Sequence, residues 1–329
     1  MKAVITAVGG YAPDYILDNK ELSKMVDTSD EWIMTRVGIK ERHILKGERQ
    51  GTSEMAVKAV EEIFRKSETS PDEIDLVICA TVTPDHIFPA MANIVSDKAD
   101  IRNAHSFDLN AGCSGFLYAL DTASKFIEAG SKKKALVIGA DKMSSITDYS
   151  DRTTCVLFGD AAAAVLLEPS KDDSVGVIDS ILRSDGFGRR YLKMEAGGSV
   201  APPSIDTVKN KEHFIFQDGR HVFKYAVSSM ADVSVEMMKK HNISPDELDW
   251  LVPHQANMRI IDATAERMGI DKNKVMINIE RYGNTTAATI PMCLYEWENR
   301  LNKGDNLILS AFGAGFTWGS ILVKWGYNS

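Results

Sequence analysis

Ser70-Pro71-Asp72-Glu73-Ile74-Asp75-Leu76-Val77 recurs as Ser244-Pro245-Asp246-Glu247-Leu248-Asp249-Trp250-Leu251, and the elements that follow each copy recur with it. After the first copy come a strand, a helix and a strand, then Cys113 opening a helix and a strand near Leu136. After the second, the same order leads to Asn284 and then Leu307. Ser70 to Ser244 is a shift of 174 residues, Cys113 to Asn284 one of 171, and Leu136 to Leu307 one of 171. An eight-residue echo alone is weak, but a near-constant shift across three landmarks marks an internal repeat. The chain therefore reads as two similar halves, 1–171 and 172–329, meeting around Ser170–Val175, with Pro169-Ser170-Lys171-Asp172-Asp173 as connector.

Outward from the repeat, short apolar runs alternate with amphipathic stretches. Strands are expected at the N-terminus (Met1 to Gly10) and at 76–80, 106–109, 135–139, 155–167, 251–253, 274–277, 306–311 and 317–324. Several are apolar at consecutive positions, the pattern of strands covered on both faces. Helices are expected over 52–66, 114–128, 222–240, 257–268 and 285–301, with further helix starts at Ser70-Pro71 and Ser244-Pro245, where a Ser cap precedes Pro. Strands and helices alternating this way predict an α/β fold with a largely parallel sheet. Residues 184–220, rich in Gly, Pro and charge, read as loops inserted in the second half that cover a site.

The 329 residues can bury a sizeable core, and 44% apolar with 26% charged residues is the balance of an ordinary globular chain. A formal net charge of -8 argues against general nucleic-acid binding. A local basic patch for an acidic partner stays open, because patches depend on arrangement rather than on the total. No apolar run reaches the roughly 18–20 residues of a membrane span. The apolar stretch that Gly9-Gly10 ends is too short for a secretory signal. Cys79, Cys113, Cys155 and Cys293 form no CxxC pair, so neither a zinc site nor a disulfide framework is expected, and a reducing cytoplasm fits.

Asn110-Ala111-Gly112-Cys113-Ser114-Gly115-Phe116 sets one of these thiols at a strand-to-helix turn between glycines. The positive end of a helix favours a thiolate, and the glycines permit a tight turn with accessible sulfur. The other three cysteines sit in apolar runs and read as core. Val252-Pro253-His254-Gln255-Ala256-Asn257 places a histidine after a strand and before a helix, where open α/β sheets gather ligands. Tyr282-Gly283-Asn284-Thr285-Thr286 duplicates the Cys113 turn with an amide in place of the thiol. Alone, Asn284 would read as a helix N-cap; the duplication sets it opposite Cys113 across a pseudo-twofold. Phe312-Gly313-Ala314-Gly315-Phe316 joins two strands and could aim a backbone N–H at an oxyanion, although by itself it reads as a hairpin turn. Trp32 and Arg36, one turn apart on a helix, could stack on a base and bind phosphate.

Together with Gly38-Ile39, Glu41-Arg42, Phe158-Gly159-Asp160, Val222-Phe223-Lys224 and Phe316-Thr317-Trp318-Gly319, these segments resemble β-ketoacyl-acyl-carrier-protein synthase III over almost the whole chain. The resemblance implies a thiolase-like α/β fold, two duplicated βαβαβαββ halves in a layered α-β-α-β-α core. It implies that Cys113 takes an acyl group from acyl-CoA while the N–H groups of Cys113 and Ala314 hold the oxyanion. His254 and Asn284 would stabilise the enolate formed as malonyl-acyl-carrier protein loses CO2, and the condensation gives 3-oxoacyl-acyl-carrier protein. Related synthases that use two histidines, and thiolases that use a second cysteine, are disfavoured by Asn284.

By the same resemblance Trp32, Arg36 and Arg152 would meet the CoA nucleotide and Asn257 the pantetheine arm. Lys224, Gln255 and Arg259 would meet the acidic carrier protein, and Phe88 would shape the acyl pocket of a neighbouring subunit. Ala314 stands where a glycine is common, which a backbone donor tolerates, and Gln217 and Arg220 stand where some relatives carry Met and Asn. Acyl-CoA is a substrate, no metal or redox cofactor is implied, and a cytoplasmic homodimer is expected. Two rivals share the residues: a Cys/His/Asn synthase of polyketide, quinolone or hydrocarbon type, and an acyl-thioester hydrolase.

Overall fold

The computed structural model describes residues 1–328. In chain order the principal elements are β1 (Ala3–Tyr11), α1 (Asp30–Val37), α2 (Thr52–Ser67), β2 (Leu76–Ala80), α3 (Met91–Lys98), β3 (His105–Leu109), α4 (Gly115–Glu128), β4 (Ala135–Lys142), β5 (Asp160–Pro169) and β6 (Gly176–Ser184). They continue with α5 (Gly219–Lys240), β7 (Trp250–Pro253), α6 (Met258–Met268), α7 (Thr289–Trp297), β8 (Asn306–Gly313) and β9 (Thr317–Lys324). One sheet runs β1-β5-β4-β2-β3 and the other β7-β8-β9-β6. Read from β6, the second sheet repeats the strand order of the first, and a single bridge from Leu251 to Val275 stands where β3 would be.

Burial alternation shows how the layers form. Leu76 and Ile78 of β2 and Leu307 and Leu309 of β8 face one common core. Phe116, Leu120 and Ile127 of α4 fill that core together with Ile290, Cys293 and Leu294 of α7. Val77 and Cys79 point the other way, onto Met55, Ala59 and Ile63 of α2. Ile308 points onto Met237 of α5 and Ile261 and Ala265 of α6. Successive strand residues alternate faces, so strands apolar at every position must be sandwiched. Two central helices between two sheets, with helices outside each, give the five layers α-β-α-β-α.

Several sequence expectations change. The sheets are mixed rather than largely parallel: β2 pairs in parallel with β3 and β4, and β7 with β8, while β1, β5, β6 and β9 pair antiparallel. The apolar run from Cys155 does not extend as one strand to Leu167; the strand starts at Asp160, because 155–159 turns to pair with the Asn284 segment. Residues 274–277 make only the bridge at Val275. Ser70-Pro71 caps a single 3-10 turn, Pro71–Glu73, and Ser244-Pro245 a turn, since each chain enters its strand at once. The expected 285–301 helix is α7 with a 3-10 turn at each end, and β6 and α3 were not anticipated. Residues 186–217 form a 3-10 turn, a short hairpin pairing Leu192–Met194 with Ile215–Gln217, and one short helix.

Candidate active site

The carboxyl ends of parallel-paired strands deliver the site. β3 leads into Asn110–Cys113, β4 ends near Asp141, β7 leads into His254, and β8 ends at Gly313 before Ala314. Gly112 adopts φ +55, and a Cβ there would lie 2.7 Å from the Ala314 nitrogen. A Cβ on Gly313 would lie 2.5 Å from the Cys113 nitrogen. Only glycine lets these two turns approach so closely, and the approach sets the N–H of Cys113 beside the 314 turn. Thr317 Oγ1 donates to Ala111 O (2.6 Å) and Ser114 Oγ to Thr317 O (3.0 Å), which ties the turns together.

Cys113 is part-exposed, whereas Cys79, Cys155 and Cys293 are buried, as expected of core thiols. The expected preference for thiolate is not what the surroundings produce. Burial, reinforced by the Asp141 carboxylate, pushes the Cys113 thiol up to about 12, and a backbone hydrogen bond opposes this only in part. The α-helix itself begins at Gly115, beyond a 3-10 turn over Gly112–Ser114, so the sulfur lies outside the first α-helical turn. At neutral pH these surroundings keep the Cys113 sulfur as the thiol.

His254 is buried, and burial lowers its imidazole to about 3, so it is uncharged at neutral pH. Its Nδ1 lies 2.7 Å from Thr289 Oγ1 at the start of α7. Asn284 is held by its backbone against the 157–159 segment: its N–H donates to Leu157 O (2.9 Å) and its C=O accepts from Gly159 N (3.1 Å). Its Oδ1 accepts from Thr286 N–H at 2.9 Å. That bond identifies the amide oxygen and leaves the NH2 as the group free for a ligand. Thr286 adopts φ +54, strained for a β-branched residue, and its buried hydroxyl has no partner among the described residues.

One cavity of about 430 Å³ gathers Cys113, His254, Asn284, Thr286, Gly313 and Ala314 at its walls. The 186–220 segment covers it, with Leu192, Met194, Ile215 and Gln217 also lining it. Trp32, Arg36 and Arg152 lie outside the cavity wall, with the Arg152 guanidinium 5.3 Å and that of Arg36 6.0 Å from the Trp32 ring centre. Asn257 lines the cavity, caps α6 by accepting from Arg259 N, and donates to Arg36 O at 3.2 Å. Lys224 and Arg259 are exposed on α5 and α6, and Arg259 stacks over Phe223, which lines the cavity. Phe88 is 82% exposed and Ile87 84%, both on the loop after β2 and outside the cavity wall.

Gln255 requires a correction. It is fully buried, its NH2 donating to Pro253 O and Met276 O and its oxygen accepting from Asn278 N and Ile279 N. An amide committed on both sides inside the protein cannot face a docking partner. It shapes the segment that leads to Asn284.

Asp141 was missed. Fully buried, its Oδ1 accepts from Thr81 and Thr83 hydroxyls and from Val82 and Thr83 N–H, and its Oδ2 accepts from Ala287 N–H. Burial raises its pKa to about 6, against those hydrogen bonds. An acid closing the apolar run 135–140 was the available signal. Among the described residues no cluster of His, Cys, Asp or Glu could hold a metal ion, and no helix is long and apolar enough to cross a membrane.

An α-β-α-β-α protein with a thiol, an uncharged imidazole and a free amide in one cavity at the strand ends has the build of an acyl-transferring condensing enzyme of the thiolase-like fold. Comparison with known proteins gives the particular family. Residues 107–186 match the family description 3-oxoacyl-[acyl-carrier-protein (ACP)] synthase III, and residues 238–325 its C-terminal part. The chain is 58% identical over 328 residues to β-ketoacyl-[acyl-carrier-protein] synthase III 2 of Bacteroides thetaiotaomicron, spanning 100% of this chain and 98% of that protein. It is 56% identical to the synthase III of Phocaeicola vulgatus, with the same coverage. The crystal structure of the Aquifex aeolicus VF5 synthase III superposes with a TM-score of 0.90 at 42% identity, covering 98% of this chain and 100% of that one. The chain belongs to the 3-oxoacyl-[acyl-carrier-protein] synthase III family.

Proposed function

We propose that the protein condenses an acyl-CoA primer with malonyl-acyl-carrier protein, opening type II fatty-acid synthesis. The single observation that carries this reading is the convergence of Cys113, His254 and Asn284 from three separate segments on one cavity. In the first half-reaction the Cys113 sulfur forms a bond to the acyl carbonyl carbon, the bond from that carbon to the CoA sulfur breaks, and the cysteine proton passes to the departing CoA thiolate. The N–H groups of Cys113 and Ala314 take the oxyanion, fixed in advance by the close approach of Gly112 and Gly313. In the second, CO2 leaves the malonyl thioester, and the enolate oxygen is held by His254 Nε2–H and the Asn284 NH2. The enolate carbon then attacks the acyl carbonyl carbon, the carbon–sulfur bond to Cys113 breaks, and the freed thiolate takes a proton from solvent, giving 3-oxoacyl-carrier protein and the starting thiol. Two neutral donors suit charge that exists only once decarboxylation begins, so they stabilise the transition state more than the ground state.

Trp32, Arg36 and Arg152 are proposed to hold the CoA nucleotide, Asn257 the pantetheine arm, and Lys224 with Arg259 the acidic carrier. The exposed Ile87-Phe88 loop supports a homodimer in which Phe88 closes the partner's acyl pocket. The halves 1–171 and 172–329, a cytoplasmic setting, and chemistry needing no metal or redox group complete the reading. Half-reactions test it. Cys113→Ser should form no acyl-enzyme with acyl-CoA, while His254→Ala and Asn284→Ala should acylate and fail to condense. Normal acylation of the serine variant, or normal condensation by the other two, would refute the assignment.

A further inference from the structure

A single proton on Thr289 decides what His254 offers the cavity. Thr289 Oγ1 lies 2.7 Å from His254 Nδ1 and 3.1 Å from Thr286 O, and one hydroxyl hydrogen serves only one of them. Thr286 O already accepts the Thr289 backbone N–H that caps the 3-10 turn. The imidazole nitrogen is the nearer acceptor, and the hydroxyl is fully enclosed. Thr286 O thus has a donor without the hydroxyl, and sending the hydroxyl proton to the nearer Nδ1 gives both acceptors one.

We infer that Thr289 is a positioning residue that hydrogen-bonds His254 Nδ1 and holds the imidazole in its Nε2–H form, as a hydrogen-bond donor to the malonyl thioester. This rests on the enolate role proposed for His254 and deepens it. The opposite tautomer would present a bare Nε2 lone pair, which repels a developing oxyanion. Which nitrogen carries the proton is set by the partner of the other. The same turn also fixes the second donor, since Thr286 N–H takes the oxygen of Asn284 and so exposes its NH2. Residues 284–289 thus orient both enolate donors, although only Asn284 touches the enolate.

The test pairs kinetics with tautomer. Thr289→Val keeps the shape but removes the hydroxyl, and Thr289→Ser restores it. Decarboxylation of malonyl-acyl-carrier protein by the acylated Val variant should fall at least about tenfold, the scale on which losing an orienting partner of an imidazole is felt. Acylation should fall less, and the Ser variant should recover condensation. Nitrogen-15 spectra of histidine-labelled protein should show His254 protonated at Nε2 in wild type and Ser variant, and shifted toward Nδ1–H in the Val variant. An Nδ1–H wild type would overturn the inference without any variant, as would a Val variant that condenses normally or slows with its tautomer unchanged. His254→Ala, run alongside, separates the two layers: if it condenses normally, the enolate role itself fails. If it fails to condense while Thr289→Val is normal, only the inference on Thr289 falls.

Discussion

Cys113, His254 and Asn284 are weak signals one at a time, because a lone thiol, histidine or asparagine usually packs or caps. A strand-to-helix turn between glycines marked Cys113, a strand end marked His254, the repeat marked Asn284 by setting an amide at the position of the thiol, and the structure gathers all three on one cavity. Gln255 was misread because it neighbours His254 in sequence, while its hydrogen bonds reach residues 21 to 24 positions away. Thr289 could not be read at all, since its effect runs through an imidazole 35 positions distant. At this scale the imidazole gives a pH prediction. Its folded pKa of about 3 lies below the ordinary 6.5, so between pH 5.5 and 8 it stays the neutral imidazole, with no second proton to lose. The condensation rate with limiting malonyl carrier should show no ionisation step near 6.5 that depends on His254. A step there, absent from His254→Asn, would contradict a neutral donor.

Elements were legible where burial made them apolar on both faces, as in β2 and β8, and illegible where polar contacts bent an apolar run. Residues 155–159 look like strand and are instead drawn aside to pair with Asn284, and Val275 bridges only once. β6 is mostly half-buried and mixes Asp179, Ser180 and Arg183 among its apolar residues, so its alternation was faint. Asp141 binds three such elements, β4, the loop after β2 and the turn of Asn284, across 146 residues of sequence at the widest. Its folded pKa, about 6, exceeds the ordinary 3.8, so the fold holds its proton where the unfolded chain has lost it. Its contribution to stability is therefore complete at low pH and declines as pH rises through about 6. Asp141→Asn would keep Oδ1 but turn an NH2 toward the Ala287 N–H, an unmet donor costing about 1–3 kcal/mol. Denaturant titrations should show the variant's deficit against wild type widest near pH 4 and narrowing toward pH 7. A deficit constant over that range would contradict the raised carboxyl.

At the scale of the molecule, the repeated strand order brings two copies of one turn, at Cys113 and at Asn284, together at the head of the shared central layer, where a Cβ on Gly115 would lie 3.6 Å from Ala287 Cβ. The α/β class was readable from alternation and its layering from the family resemblance, but the antiparallel outer strands were not readable, since pairing direction leaves no local mark. The surface divides similarly: a chain of net charge -8 still shows Lys224 and Arg259 exposed near the cavity, without ion pairs among the described residues. Rim charges act chiefly on encounter. Arg259→Glu should therefore raise the KM for malonyl-acyl-carrier protein several-fold and leave that for acyl-CoA near wild type, with added salt shrinking the difference. Equal KM values for the carrier would remove this face from docking. The central claim is tested most directly by mass spectrometry of the intact protein, first with a panel of acyl-CoAs and then with malonyl-acyl-carrier protein added. We predict an acyl mass gain on Cys113 from at least one primer, discharged on addition as 3-oxoacyl-carrier protein with loss of CO2. No adduct on Cys113 from any acyl-CoA, or an adduct that only water removes, would contradict the account.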